Sequence, residues 1–143
     1  MTLQRAGAPR AGRSTAAITC LLIATSLAAC TPQGDVSEIA VQPSNGGEGA
    51  DSALLDGVLR RDGGCTYIQR DTGESIVPVF HEGDASWVGD DLVFTGAAID
   101  LVSATEGERI TFAGSAVPGG PTDEMTVPDG CRDFTAFWNV PSE

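Results

Sequence analysis

Lysine is absent from all 143 residues, and histidine occurs once, at His81. Without lysine there is no Schiff-base amine and no P-loop ammonium. With one histidine a Ser-His-Asp triad has one possible base, and no Gly-x-Ser-x-Gly elbow surrounds any serine. Phosphate loops and dinucleotide fingerprints are missing too, so the chain is expected to be a non-enzyme with no cofactor. Long apolar runs are scarce. The longest, Ala16 to Ala28, would make a helix of about 20 Å against about 30 Å of hydrocarbon, too short for a permanent transmembrane span.

Positive charge is the other shortage. Arg5, Arg10 and Arg13 cluster at the N-terminus, which leaves Arg60, Arg61, Arg70, Arg109 and Arg132 scattered among twenty Asp and Glu. Nucleic-acid binding needs clustered cations that displace counterions from phosphates, so no nucleic-acid partner is expected. The acids read as a solvated, repelling surface.

What is present begins with an address. Basic residues up to Arg13, the apolar run and the small residues before Cys30 have the three parts of a secretory signal. Leu27-Ala28-Ala29-Cys30 resembles the lipobox of bacterial lipoproteins at every position. The resemblance implies cleavage after Ala29, diacylglyceryl transfer to the Cys30 thiol, and a membrane partner reached through that lipid anchor on the extracytoplasmic face. Two acyl chains at about 0.8 kcal/mol per CH₂ suffice for stable anchoring.

The chain then divides into a signal peptide at 1–29, a lipidated Cys and tether at 30–52, and a small β domain at 53–143. The tether is rich in Gly, Pro and Ser, with only Ile39-Ala40-Val41 as a weak apolar patch. About 22 residues of such chain reach roughly 25 Å.

Beyond Ala53 short apolar runs alternate with Gly, Asp and Pro, which is the all-β pattern. Strands are predicted at Leu54 to Arg60, Cys65 to Arg70, Ser75 to Phe80, Leu92 to Phe94, Ala97 to Val102, Arg109 to Ala113 and Phe134 to Val140. In the last of these, Phe134, Ala136, Trp138 and Val140 share one face. A one-turn helix is predicted near Ser103 to Glu106, and a long loop from Val117 to Gly130.

Discounting Cys20 in the leader and Cys30 under lipid leaves Cys65 and Cys131, which an exported domain is expected to pair. A metal pair or a catalytic thiol is the competing use, but close spacing and a neighbouring His are missing. The bridge would tie the last strand to the first hairpin, as closure of a small barrel needs.

Four further stretches carry a second resemblance. They are Gly57-Val58-Leu59, Asp62-Gly63-Gly64-Cys65-Thr66-Tyr67-Ile68, Ile76-Val77-Pro78-Val79-Phe80 and Gly107-Glu108-Arg109-Ile110-Thr111-Phe112-Ala113-Gly114. Together these are similar to small exported lipoproteins of actinobacteria, whose last such strand resembles that of OB-type barrels. The resemblance implies fold and address and carries no activity.

The expected architecture is a five- or six-stranded OB-like barrel closed by one disulfide. An immunoglobulin-like sandwich is the alternative, from the order Cys65, Trp87, Cys131. Two stretches could serve as binding surfaces: Trp87 beside a Gly-Asp-Asp turn, and the Phe137-Trp138 pair, whose rings point to opposite faces of a strand. His81-Glu82-Gly83-Asp84 and Asp90-Asp91 lack the spacing of metal ligands and read as solvated turns. Function is expected to be binding of an envelope protein or small molecule, with solute or cation binding, or a glycan-binding accessory role, as alternatives.

Overall fold

The computed structural model describes residues 37–44, 53–95 and 103–142. The signal peptide, Cys30, most of the tether and the strand predicted at Ala97 to Val102 lie outside the described residues. What is described is strand, turn and one 3-10 turn: β1 Ala40–Gln42, β2 Ala53–Asp62, β3 Cys65–Gln69, β4 Ser75–His81, β5 Ala85–Val88, β6 Asp91–Phe94, β7 Ser103–Thr105, β8 Arg109–Ala116, the 3-10 turn Asp129–Cys131, and β9 Phe137–Asn139.

The fold is all-β in two sheets. In the larger, β2 pairs antiparallel with β3 and β8, β3 antiparallel with β4, β4 parallel with β9, and β9 antiparallel with β8. The pairing therefore returns on itself through five strands. β1 is a sixth strand, parallel to β4. The smaller sheet is a meander of β5, β6 and β7.

Local chemistry fixes the turns and the closure. Asp62 faces Cys65 across a two-residue loop, and its Gly63 and Gly64 hold φ of 60° and 79°. Those left-handed values match the strand twist and are cheap only for glycine. At the closing seam a Cβ on Gly114 would sit 2.0 Å from the Asn139 carbonyl oxygen. β9 can approach β8 there because that atom is missing.

Period-two alternation sorts the side chains into two apolar clusters. The inner one contains Leu55, Leu59, Ile68, Ile76, Phe80, Ile110, Phe112 and Trp138 from the closed sheet, and Ala85, Trp87, Leu92, Phe94 and Ala104 from the meander. Phe80, Phe94 and Phe112 meet with centroids 5.4 to 6.5 Å apart, two of the three pairs edge to face. The outer cluster contains Ala40, Cys65, Val77, Val79, Cys131 and Phe137, with Tyr67, Val117, Met125, Val127 and Phe134 packed on it. β4 sends Ile76 and Phe80 to the inner cluster and Val77 and Val79 to the outer one.

Several sequence expectations need correction. Ile39-Ala40-Val41, assigned to the tether, enters the core: Ile39 and Ala40 are buried, and β1 begins at Ala40. Ser103–Thr105 is a strand, not a helical turn, because it completes the meander against β6. β5 had no counterpart in the predicted strands, and Trp87 lies within it. The last strand is shorter than predicted. Phe134 precedes it and packs on the outer cluster, while Ala136, Trp138 and Val140 face the inner one. Trp87 and the disulfide also belong to different clusters, whereas an immunoglobulin sandwich packs its Trp on its bridge.

Candidate functional site

Cys65 opens β3 and Cys131 closes the 3-10 turn, and the two form a disulfide with Cα atoms 4.9 Å apart. Both residues are fully buried. Beside the bridge the backbone of Gly130 presses on the β2–β3 turn, where a Cβ would lie 2.1 Å from the Gly63 carbonyl oxygen. The bridge and this contact hold the 117–136 loop over the outer face of β4 and β9. Tyr67 and Phe134 meet there with centroids 5.1 Å apart. An open hollow of about 470 Å³ remains in the loop, lined by residues including Asp123, Met125 and Arg132.

The three aromatic residues singled out from the sequence are all buried. Trp87 packs in the inner cluster, its Nε1 donates to Thr66 Oγ1 at 2.8 Å, and Arg61 lies over its ring at 4.8 Å from the centroid. Phe137 is covered by the outer cluster, and Trp138 faces the inner one with Nε1 directed at the Ala113 carbonyl, 3.4 Å away. The two rings do point to opposite faces of β9, and both are buried. β9 is covered on both faces, by the barrel interior and by the loop, so both rings are buried and Asn139 is half-buried.

His81 is also buried, not on a solvated turn, because it ends β4 beside β1. Its Nε2 lies 3.2 Å from Gln42 Nε2, and Gln42 Nε2 also donates to Asn139 Oδ1 at 2.5 Å. His81 Nδ1 is buried and has no hydrogen-bond partner. Glu82 stays exposed on the following turn. Among the described residues no group of three or more His, Cys, Asp or Glu is placed to hold a metal ion.

One solvent-facing group gathers charge. Arg109 on β8 pairs with Asp56 on β2 and, at 2.6 Å, with Asp71 in the β3–β4 turn, while Thr111 Oγ1 donates to the second Asp56 oxygen at 3.0 Å. The hydrogen bond to Asp71, and then the charge of Asp56, raise the Arg109 pKa above its ordinary value. Arg109 and Asp56 are about half exposed and Asp71 is more so, so this fork orients groups on the surface and adds little stability. Leu54, 55% exposed, lies on the same strand as Asp56.

Sequence reasoning found the disulfide and missed Gln42, Arg61, Thr66 and Asn139. Gln42, Thr66 and Asn139 are single polar residues in or beside apolar stretches and Arg61 sits in a charged run, and such residues show their partners only after folding.

The described chain is thus a disulfide-bridged all-β domain with two buried clusters and a forked ion pair on its open face. No protein-family model matches it, and neither a curated protein nor a solved structure does.

Proposed function

We propose that the protein is a lipid-anchored module on the outer face of the cell membrane, an OB-like barrel that binds an envelope protein or small molecule without chemistry of its own. The observation that carries the location is the buried Cys65–Cys131 bridge. Disulfides persist in oxidising compartments, and this one agrees with the leader and the Leu-Ala-Ala-Cys30 motif.

The pairing order supports the barrel. Taken without β1 and the meander, the ring runs first, second, third, fifth, fourth strand, with one parallel pair between third and fifth. That is the order of a five-stranded Greek-key barrel of the OB kind. Such barrels bind ligands on the face of their second and third strands, here β3 and β4. In this chain the loop and the disulfide cover that face. Binding is therefore assigned to the β2–β8 face, where Asp56, Asp71, Arg109 and Thr111 converge in the open.

Replacing Cys30 by Ala in the native host tests the anchor. The variant is expected in the medium, while the parent sediments with membranes and takes up labelled palmitate. Retention of the variant together with an unlabelled parent would sink the proposal.

A further inference from the structure

Asp56, Val58 and Arg60 point outward from β2, opposite to the buried Leu55 and Leu59. Their register partners share that outer face: Thr111 lies opposite Asp56, Arg109 and Gln69 flank Val58, and Tyr67 lies opposite Arg60. The two halves of the face differ. Toward β8 the polar groups satisfy one another, because Arg109 is forked by Asp56 and Asp71, and Thr111 donates to Asp56.

Toward β3 they do not. Among the described residues Arg61, Arg70, Arg109 and Arg132 each pair with a carboxylate, and Arg60 pairs with none. The chain has twenty Asp and Glu against eight Arg, so acids are not in short supply. Even Asp62, two residues along on the same face, forms no ion pair with Arg60. The Tyr67 hydroxyl and the Gln69 amide also lack a hydrogen-bond partner in the chain, and neither is sealed from solvent. Arg60, Tyr67 and Gln69 are half-buried, which places these donors in a shallow site and not on free side-chain ends. Beside them the surface is apolar: Val58 is half-buried next to Arg60, and Phe134 packs on the Tyr67 ring at 5.1 Å between centroids.

Deepening the reading of this face as the binding surface, we propose that Arg60, Tyr67 and Gln69 receive a single carboxylate carried on an apolar body. A guanidinium presents two parallel N–H donors that match the two carboxylate oxygens, and the phenol and amide add further donors. The Tyr67 and Phe134 rings take the apolar group beside it. One cation neutralises one charge. A net charge of −12 repels a polyanion more steeply than a monoanion, which selects a carboxylate over a phosphate ester.

The full chain in detergent micelles tests this, and the measurement stands whether or not Cys30 is acylated. Arginine Nε–H and backbone amide signals are followed by NMR during titration with N-acetylphenylalanine or 3-phenylpropionate, with 3-phenylpropionamide and phenyl phosphate as the uncharged and doubly charged controls. Saturable shifts are expected at Arg60 and along the β2–β3 ladder, with both controls about tenfold weaker or more, as for loss of a charge-assisted pair. Tighter binding of N-acetylphenylalanine than of 3-phenylpropionate marks a peptide chain end as the source of the carboxylate, and equal binding marks a simple acid.

Arg60→Gln should lower affinity by about tenfold or more, and Arg60→Lys, which keeps the charge without the fork, by less. Tyr67→Phe keeps the ring and should cost about threefold, as for one neutral hydrogen bond. Arg70→Gln, an exposed arginine elsewhere, should change affinity by less than about twofold. Equal binding of the carboxamide, no saturable shift at all, or unchanged affinity in an Arg60→Gln protein with an otherwise preserved amide spectrum overturns the site. Shifts centred on Arg109 in place of Arg60 also overturn it and leave the β2–β8 face standing as the binding surface.

Discussion

The inner and outer clusters lie on opposite faces of the same strand, β4, and they are held by different means. The inner cluster is enclosed by strands on nearly every side and centres on the contact of Phe80, Phe94 and Phe112. Its members arrive by alternation along paired strands, so backbone pairing and packing enforce each other. The outer cluster is roofed by the 117–136 loop, which offers Val117, Met125, Val127 and Phe134 as partly buried residues from a stretch with little regular pairing. Ordering such a stretch costs about 1–2 kcal/mol of backbone entropy per residue, and few ladder bonds offset it. The covalent bond from Cys65 to Cys131 is placed where non-covalent pairing is thinnest.

The largest expected effect tests the inner cluster. Phe112 is fully buried between two other Phe rings, and Phe112→Ala removes a ring that the closed sheet cannot collapse to replace. Cost should be about 3–5 kcal/mol in denaturant unfolding of the oxidised protein, with the midpoint lowered and the slope kept. A loss below about 1 kcal/mol would mean the interior can repack and is not the rigid half of the pair.

Removing the bridge by Cys65→Ala with Cys131→Ala tests the outer cluster. Loop-closure entropy for a separation of 66 residues gives about 4 kcal/mol, within a usual range of about 2–5. Location is more informative than size. Amide exchange should quicken mainly in 117–136 and in β1, which bonds to Thr126, while the β2–β8 ladder keeps its protection after allowance for global stability. Uniform acceleration through both clusters would show that the bridge supports the whole domain and erase the distinction.

The same contrast explains what was legible in the sequence. Ile110 and Phe112 alternate with polar neighbours, and β2, β3, β6 and β8 emerge near their predicted places because alternation records a one-sided face. β4 reads as a continuous apolar run, as a strand covered on both faces should. β1 is invisible because Ala40–Gln42 is three residues long, lies among Pro, Gly and Ser, and gains its burial from a distant parallel partner. β7 is equally short, with one buried Ala between two exposed residues. Phe134 was given the wrong face because period two holds only inside a strand, and β9 starts at Phe137. The burial of the three candidate rings was not legible for one reason: a strand beside turn residues looks exposed, while the loop and the meander that cover it are long-range facts.

The finest division between the clusters falls between two adjacent residues. Cys65 faces outward to the bridge, and Thr66 faces inward, where it is fully buried and accepts the Trp87 indole hydrogen at 2.8 Å. Thr66→Val keeps the shape and deletes the acceptor, so the indole N–H is stranded in a dry core. The expected cost is about 1–3 kcal/mol, smaller than either change above. Because strand alternation separates the two side chains, exchange in 117–136 should not change beyond the global shift. The penalty should also depend on its partner: in a Trp87→Phe background, with no N–H left to orphan, Thr66→Val should cost close to nothing. A double-mutant cycle measures that coupling, and the same cost in both backgrounds would show that Thr66 acts through packing alone. In that event the inner cluster would be apolar throughout, and the Trp87 hydrogen bond would be a consequence of its packing, not a cause.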